Sequence, residues 1–278
     1  MGFYFQLVAL IAIVVLPKLP ERIRFVSPLR LQHRLIGSVI QLGYLSKKRA
    51  NGSEKRNEQT MLAILKERIN YFAHPPIIQF SPPRTGSTLL WNTLRVCFPE
   101  REVKKVHRLS KFEKNYRSAP IVASIRNPLD SISSSIQRYG KDPTDEVIKE
   151  QIQEYEKEGM WDILEIKNKS NVKILKYVEF AFNFGLMFSE LEDFLGGEID
   201  AELKKQVVRT YSIDKVKEKS YNYGDFSNYD KEDHIHGNHI SKYSGASGYY
   251  SDFLERDQIE MVYRHFKDVF DAFGYEID

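Results

Sequence analysis

The sequence predicts an α/β fold, a central parallel sheet flanked by helices on both faces, and three observations predict it. Short runs rich in Ile and Val occur at 76–80, 102–106, 121–125 and 172–177, the length of buried strands. Helical segments separate most of these runs, and strands alternating with helices build parallel sheets joined by crossovers. Two polar loops and His107 fall where the runs end, which is where open α/β sheets carry ligands. The chain has 278 residues, 42% hydrophobic and 28% charged, enough for one such domain with a real core.

The first run, Ile77-Ile78-Gln79-Phe80, passes into Ser81-Pro82-Pro83-Arg84-Thr85-Gly86-Ser87-Thr88 and then into the apolar start of a helix, Leu89-Leu90-Trp91. Such a loop aims several backbone N–H groups at one point, and the helix N-terminus adds partial positive charge there. Arg84 contributes a full charge and a planar fork of donors, while Thr85, Ser87 and Thr88 contribute hydroxyls. The assembly suits a phosphate. It is not the triphosphatase loop G-x-x-x-x-G-K-[ST]: aligned on Gly86, Ser81 stands for the first glycine and Ser87 for the lysine, and only Thr88 fits. That lysine bridges the β- and γ-phosphates, so this loop is expected to hold a shorter phosphate chain without metal.

The 102–106 run ends at His107, with Lys105 two residues earlier on the same strand face. The 121–125 run opens a second anion-type element, Arg126-Asn127-Pro128-Leu129-Asp130-Ser131-Ile132-Ser133-Ser134, in which Asp130 is expected to cap the following helix. Residues 144–168 read as one long charged helix with Val147, Ile148, Ile152 and Tyr155 on one face. Helices are expected over 180–195, 201–219 and 257–273, the last stopped by Gly274. The polar stretch 221–244 reads as a loop over the acceptor or the cofactor.

The formal net charge of +3 is too small to imply a nucleic-acid partner, and basic–aromatic repeats are lacking. The single cysteine, Cys97, excludes an intrachain disulfide and reads as a buried inert thiol. His234, His236 and His239 have a metal-like spacing, but without a fitting Cys or carboxylate set they are assigned to surface chemistry, and no metal is expected.

Three regions follow: an apolar N-terminal segment at 1–20, a basic helical region and linker at 21–74, and the α/β domain at 75–278. The apolar run at 3–16, extended towards Pro20, is a candidate membrane anchor near the lower length limit for spanning. Lys18, Arg22, Arg24, Arg30 and Arg34 follow it, so a spanning segment would leave the domain on the cytoplasmic side. Leu31, Leu35, Val39 and Leu42 form a helical stripe with basic residues mostly elsewhere. The expected location is therefore membrane-associated with a cytoplasmic domain, or cytoplasmic outright.

The unit strand–Pro-Arg-Thr-Gly-Ser-Thr–helix, followed by Arg126-Asn127-Pro128-x-Asp130 and by Ser134 eight positions after Arg126, resembles the sulfotransferase family. The resemblance covers about 76–278. It implies a P-loop-like three-layer sandwich and transfer of a sulfuryl group from 3′-phosphoadenosine-5′-phosphosulfate (PAPS) to a hydroxyl or amine acceptor, a small molecule, glycan or lipid. It implies that Arg84, Thr85, Gly86, Ser87 and Thr88 hold the 5′-phosphosulfate, and that Arg126 and Ser134 hold the 3′-phosphate. Val103-Lys104-Lys105-Val106-His107 is similar to the family's strand ending in Lys-x-His, which implies His107 as general base, with Arg84 and Lys105 at the transferring group; Glu100 and Glu102 are reserve bases. Tyr177, Ser212, Gly245 and Gly248 stand where the family contacts the rest of the nucleotide. The chain departs from the cytosolic members before the late glycine loop, with Tyr243-Ser244 where they carry Arg-Lys; Lys242 or His239 are candidates to compensate. The alternatives are a P-loop kinase using ATP and Mg²⁺, disfavoured by the missing loop lysine, and a non-catalytic membrane-surface protein with a degenerate nucleotide fold.

Overall fold

In the computed structural model, four parallel strands form the sheet: β1 (Ile77–Phe80), β2 (Val103–Val106), β3 (Ile121–Ile125) and β4 (Val172–Lys176). The structure describes residues 75–109 and 119–277, and the N-terminal anchor and basic-helix expectations lie outside them. No helix among the described residues is long and apolar enough to cross a membrane.

Strand order is β2-β1-β3-β4, with Phe80 paired to Val106 on one side and to Ala123 on the other. Side chains of a strand alternate between faces, and here each face carries a hydrophobic core. Ile78, Phe80, Ala123 and Ile125 share one core cluster; Ile77, Val122 and Leu175 share the other. The first core is closed by α2 (Pro128–Arg138), α3 (Asp145–Lys157) and the C-terminal helices α9 (Arg256–His265) and α10 (Lys267–Phe273). The second is closed by α1 (Ser87–Cys97), α6 (Phe184–Leu195) and α7 (Ala201–Tyr211). This is the three-layer arrangement expected from the alternating pattern.

The order fixes where a ligand can sit. β1 lies between β2 and β3; its chain leaves through α1 towards β2, while β3 leaves through α2 towards β4. The loops after β1 and β3 therefore diverge and open a crevice at their carboxyl ends, the switch point of such sheets.

Several helices are shorter than the sequence pattern implied. The expected 144–168 helix is two, α3 and α4 (Asp162–Ile166). Gly159, at φ 83, breaks it, and a Cβ there would lie 2.2 Å from the carbonyl oxygen of His107. Close packing behind the site thus forces the break. The 180–195 segment divides into α5 (Tyr177–Phe180) and α6, because the Asn183 side chain accepts from the Leu186 N–H and starts a new helix. The 201–219 segment divides at Ser212, whose extended backbone (φ −58, ψ 151) separates α7 from α8 (Ile213–Tyr221). The 257–273 helix likewise divides at Phe266 and ends at a left-handed Gly274. Cys97 is buried against the second core, and burial pushes its thiol up to about 12.

Candidate functional site

The loop after β1 is pinned from beneath by a buried hydroxyl cluster. Ser81 Oγ accepts from the Gln79 amide at 2.5 Å and lies 2.6 Å from Ser124 Oγ on β3. Thr85 Oγ1 donates to the Pro82 carbonyl at 2.8 Å and lies 3.0 Å from the same Ser124 oxygen. These atoms are fully buried, so their mutual hydrogen bonds avoid a large desolvation cost. The Thr85 hydroxyl is therefore spent on tying the loop to β3 and does not line the crevice; the expected donor role for that side chain is corrected.

Pinned this way, the loop places Arg84 in a left-handed conformation (φ 60) and Gly86 at φ 84. Only glycine fits at 86, since a Cβ would lie 2.7 Å from the Tyr177 ring and 2.9 Å from Phe180. Arg84 turns across the crevice. Its Nε donates to Ser134 Oγ at 3.1 Å and its Nη2 to the His239 carbonyl at 2.9 Å.

The second element begins with Arg126, 2% exposed. Its Nη2 donates to the Ala246 carbonyl at 2.6 Å and to the Gly245 carbonyl at 3.3 Å, and the guanidinium carbon lies 4.6 Å from the Tyr177 ring centroid. The late glycine loop is thereby docked on Arg126. Asp130 does not cap α2, as the sequence implied; Asn127 does, accepting from the Leu129 N–H. Asp130 sits inside the first turn, accepts from the Gly248 N–H at 3.0 and 3.2 Å and lies 3.9 Å from Arg126 Nε. Gly248 thus anchors the loop to α2 and stays off the cavity wall, whereas Gly245 lines the cavity. A Cβ on Gly245 (φ +76) would lie 2.3 Å from the Tyr177 hydroxyl.

At the end of β2, His107 Nδ1 lies 2.7 Å from the Ser81 carbonyl oxygen. A carbonyl only accepts, so Nδ1 carries the proton and Nε2 keeps a lone pair in the neutral ring. Burial, reinforced by Lys105, lowers the His107 pKa and keeps that lone pair free at neutral pH. Lys105 Nζ donates to Thr88 Oγ1 at 3.0 Å, and burial with nearby Arg138 lowers its pKa to about 8. Neither Glu100 nor Glu102 reaches the cavity wall; Glu102 pairs with Lys104 at 3.4 Å.

These groups meet in one cavity of about 250 Å³ at the switch point. Of the residues expected from sequence, Arg84, Gly86, Ser87, Thr88, Lys105, His107, Arg126, Ser134, Tyr177 and Gly245 line it. Ser212 does not, although its neighbours Tyr211 and Ile213 do; Lys242 does not either, lying instead 4.9 Å over the Tyr243 ring. Sequence reasoning missed Arg138, one helical turn past Ser134 on the same face of α2, and gave no place to Phe226. The i, i+4 spacing to Ser134 was the available signal.

His236 and His239, both half-buried, also line the cavity wall. His236 stacks on Phe226 and Tyr229, and burial, with Arg84, Arg138 and Lys105, holds His239 well below the usual histidine range.

Among the described residues the lining carries four permanent or near-permanent cations, Arg84, Lys105, Arg126 and Arg138, and no carboxylate. Of these four, only Arg126 has a described carboxylate beside it, Asp130 at 3.9 Å; crowded buried cations are costly, and Arg138 is brought down to about 9 by burial and Arg84. A multiply anionic ligand is the chemical complement of such a wall. Gly86 and Gly245 let Tyr177 pack directly against both loop backbones, since a Cβ at either would lie 2.7 or 2.3 Å from it.

No family model matches the sequence, and no curated protein matches it. Among solved structures, mouse sulfotransferase SULT7A1 complexed with PAP is similar at a TM-score of 0.52 and 17% identity, over 70% of this chain and 84% of that chain. Retinol dehydratase in complex with androsterone and inactive cofactor PAP, and with retinol and PAP, aligns at a TM-score of 0.49 with 16% and 15% identity. Those alignments cover 74% of this chain and 84% and 85% of theirs. The likeness to the mouse enzyme establishes the fold: the chain has the P-loop-like sandwich of sulfotransferases.

Proposed function

We propose that the protein is a sulfotransferase that moves a sulfuryl group from PAPS to a hydroxyl or amine acceptor. One observation carries the reading: Arg84 Nε bonds Ser134 Oγ at 3.1 Å, so the loop after β1 and the helix after β3 converge on one cavity whose described lining is cationic and free of carboxylates. A single nucleotide with phosphates at both ends fits that convergence. A triphosphate with Mg²⁺ fits it less well, because no acidic side chain among the described residues lines the cavity to hold the metal and Ser87 stands in place of the loop lysine.

When bound, PAPS supplies the activated sulfuryl group. Backbone N–H groups at the start of α1, with Ser87 and Thr88, hold the 5′-phosphate. Arg126 and Ser134 hold the 3′-phosphate and so distinguish this nucleotide from ATP. His107 Nε2 takes the acceptor proton as the acceptor oxygen bonds to sulfur. Arg84 and Lys105 stabilise the electron pair that departs on the 5′-phosphate oxygen as its bond to sulfur breaks. Tyr177, beside Arg126 and Gly245, borders the adenosine. Residues 3–20 extend the proposal to a membrane-associated enzyme with a cytoplasmic catalytic domain, which protease protection of sealed membranes would test.

Calorimetric titration of the full chain with adenosine 3′,5′-bisphosphate, then with ATP plus Mg²⁺, tests the reading. Micromolar binding of the first alone is expected. Binding of the second alone selects a kinase, and binding of neither selects a non-catalytic protein.

A further inference from the structure

The face of α2 that borders the cavity is a ladder. Arg126 stands at its foot, Ser134 two turns on, and Arg138 one turn further, about 6 Å beyond Ser134 at the usual helical rise. The lower rungs have partners: Arg126 holds the carbonyls of Gly245 and Ala246, and Ser134 accepts from Arg84. The top rung has a different setting. The Arg138 guanidinium lies 3.2 Å over the Phe226 ring and, like that of Arg126, its buried Nε has no hydrogen-bond partner among the described residues; unlike Arg126, which has Asp130 at 3.9 Å, it has no described carboxylate beside it. Phe226 in turn stacks on His236 at 4.2 Å, and Ile235 and Ile240 add apolar surface to the same cavity.

The donor phosphates already have their cations in Arg84, Lys105 and Arg126 under the sulfotransferase reading. Arg138 is a fourth, set into a wall suited to the acceptor, with no carboxylate among the described lining residues to neutralise it. Aromatic contact supports a guanidinium but leaves its charge and its Nε donor unmatched.

We infer that Arg138 is a specificity-determining residue that selects acceptors bearing an oxyanion, a carboxylate, sulfate or phosphate, on the same molecule as the hydroxyl to be sulfated. The inference rests on the proposed sulfotransferase activity. The Phe226 side takes the body of the acceptor, Arg138 its anionic group, and His107 its hydroxyl.

The test uses the full chain saturated with adenosine 3′,5′-bisphosphate. Calorimetry then compares matched pairs differing only in charge: 4-hydroxybenzoate against 4-hydroxybenzamide, and glucuronic acid against glucuronamide. At least one anionic member is expected to bind about tenfold or more tightly than its neutral partner. Arg138→Gln is expected to abolish the preference while Arg138→Lys keeps part of it, with bisphosphate affinity within threefold of the parent in both. Equal affinity within every pair overturns the inference and leaves the sulfotransferase reading standing. So does a preference that survives Arg138→Gln, or a bisphosphate affinity that falls tenfold in that variant, which would place Arg138 in the donor site. Failure of the first bisphosphate titration with the parent chain sinks the sulfotransferase reading itself.

Discussion

Arg84 separates backbone strain from ligand chemistry, because two substitutions remove the same guanidinium and only one relieves the backbone. At φ 60 an L-residue bears roughly 1–2 kcal/mol of steric cost that glycine escapes. Glycine gives back part of that gain through the greater freedom of its unfolded chain, about 0.4–1 kcal/mol. Arg84→Gly is therefore expected to be more stable than Arg84→Ala by about 1 kcal/mol, the reverse of the usual order, or roughly 2–4 °C in Tm for a domain of this size. Both variants lose the bonds to Ser134 at 3.1 Å and to His239 at 2.9 Å, together with any bond from Arg84 to bound anion. Hydrogen bonds to charged groups are worth about 1.5–3 kcal/mol, so both should bind adenosine 3′,5′-bisphosphate roughly 10- to 150-fold more weakly than the parent. Calorimetric unfolding and titration of the three proteins read both quantities. If Ala proves more stable than Gly, the left-handed loop conformation is wrong. If either variant keeps its affinity within threefold, the guanidinium does not face the ligand.

Other residues give independent tests. Gly245→Ala should lower bisphosphate affinity and Tm, because its Cβ would lie 2.3 Å from the Tyr177 hydroxyl; Tyr177→Phe removes that oxygen and should recover part of the loss in a double-mutant cycle, strain at φ +76 remaining. Ser124→Ala, at a fully buried position, leaves Ser81 and Thr85 without a shared partner and should cost about 1–3 kcal/mol in denaturant unfolding. His107→Gln should leave bisphosphate binding intact and lower sulfuryl transfer at least about 100-fold; loss of binding instead would make the histidine a ligand contact. The pH profile of kcat/KM for the donor should fall on the acid side below pH 6.5, where His107 protonates, and on the alkaline side as Lys105 loses its charge through about pH 8; Lys105→Arg should remove only the alkaline limb. Stability runs the other way at that lysine. Between about 8 and 10.5 the unfolded chain holds the Lys105 proton more than the fold does, so this group makes stability rise with pH over that window.

The strands were legible because four short Ile/Val runs can only be satisfied by burial on both faces, and the structure keeps them within a residue of their expected ends. The phosphate-type loop was legible because donors, glycine and helix start are consecutive in sequence. Helix lengths were not, since the break at Gly159 comes from the carbonyl of His107 pressing on it, a neighbour about fifty residues away in the chain. Nor were the tasks of Thr85 and Asp130: in isolation the hydroxyl could face a ligand and the carboxylate could cap a helix, and the nearness of Ser124 and Gly248 decides otherwise.

By itself the sequence determined the layered α/β architecture, the two anion-type elements and the strand-end histidine, all properties of local pattern. The tertiary structure alone decided that these elements face one cavity, that its described lining holds four cations and no carboxylate, and that Arg138 over Phe226 is one of them. The physical reason is that a strand order of 2-1-3-4 brings loops from separate crossovers together. Charge balance in a cavity belongs to that meeting of distant segments, which no short window of sequence contains.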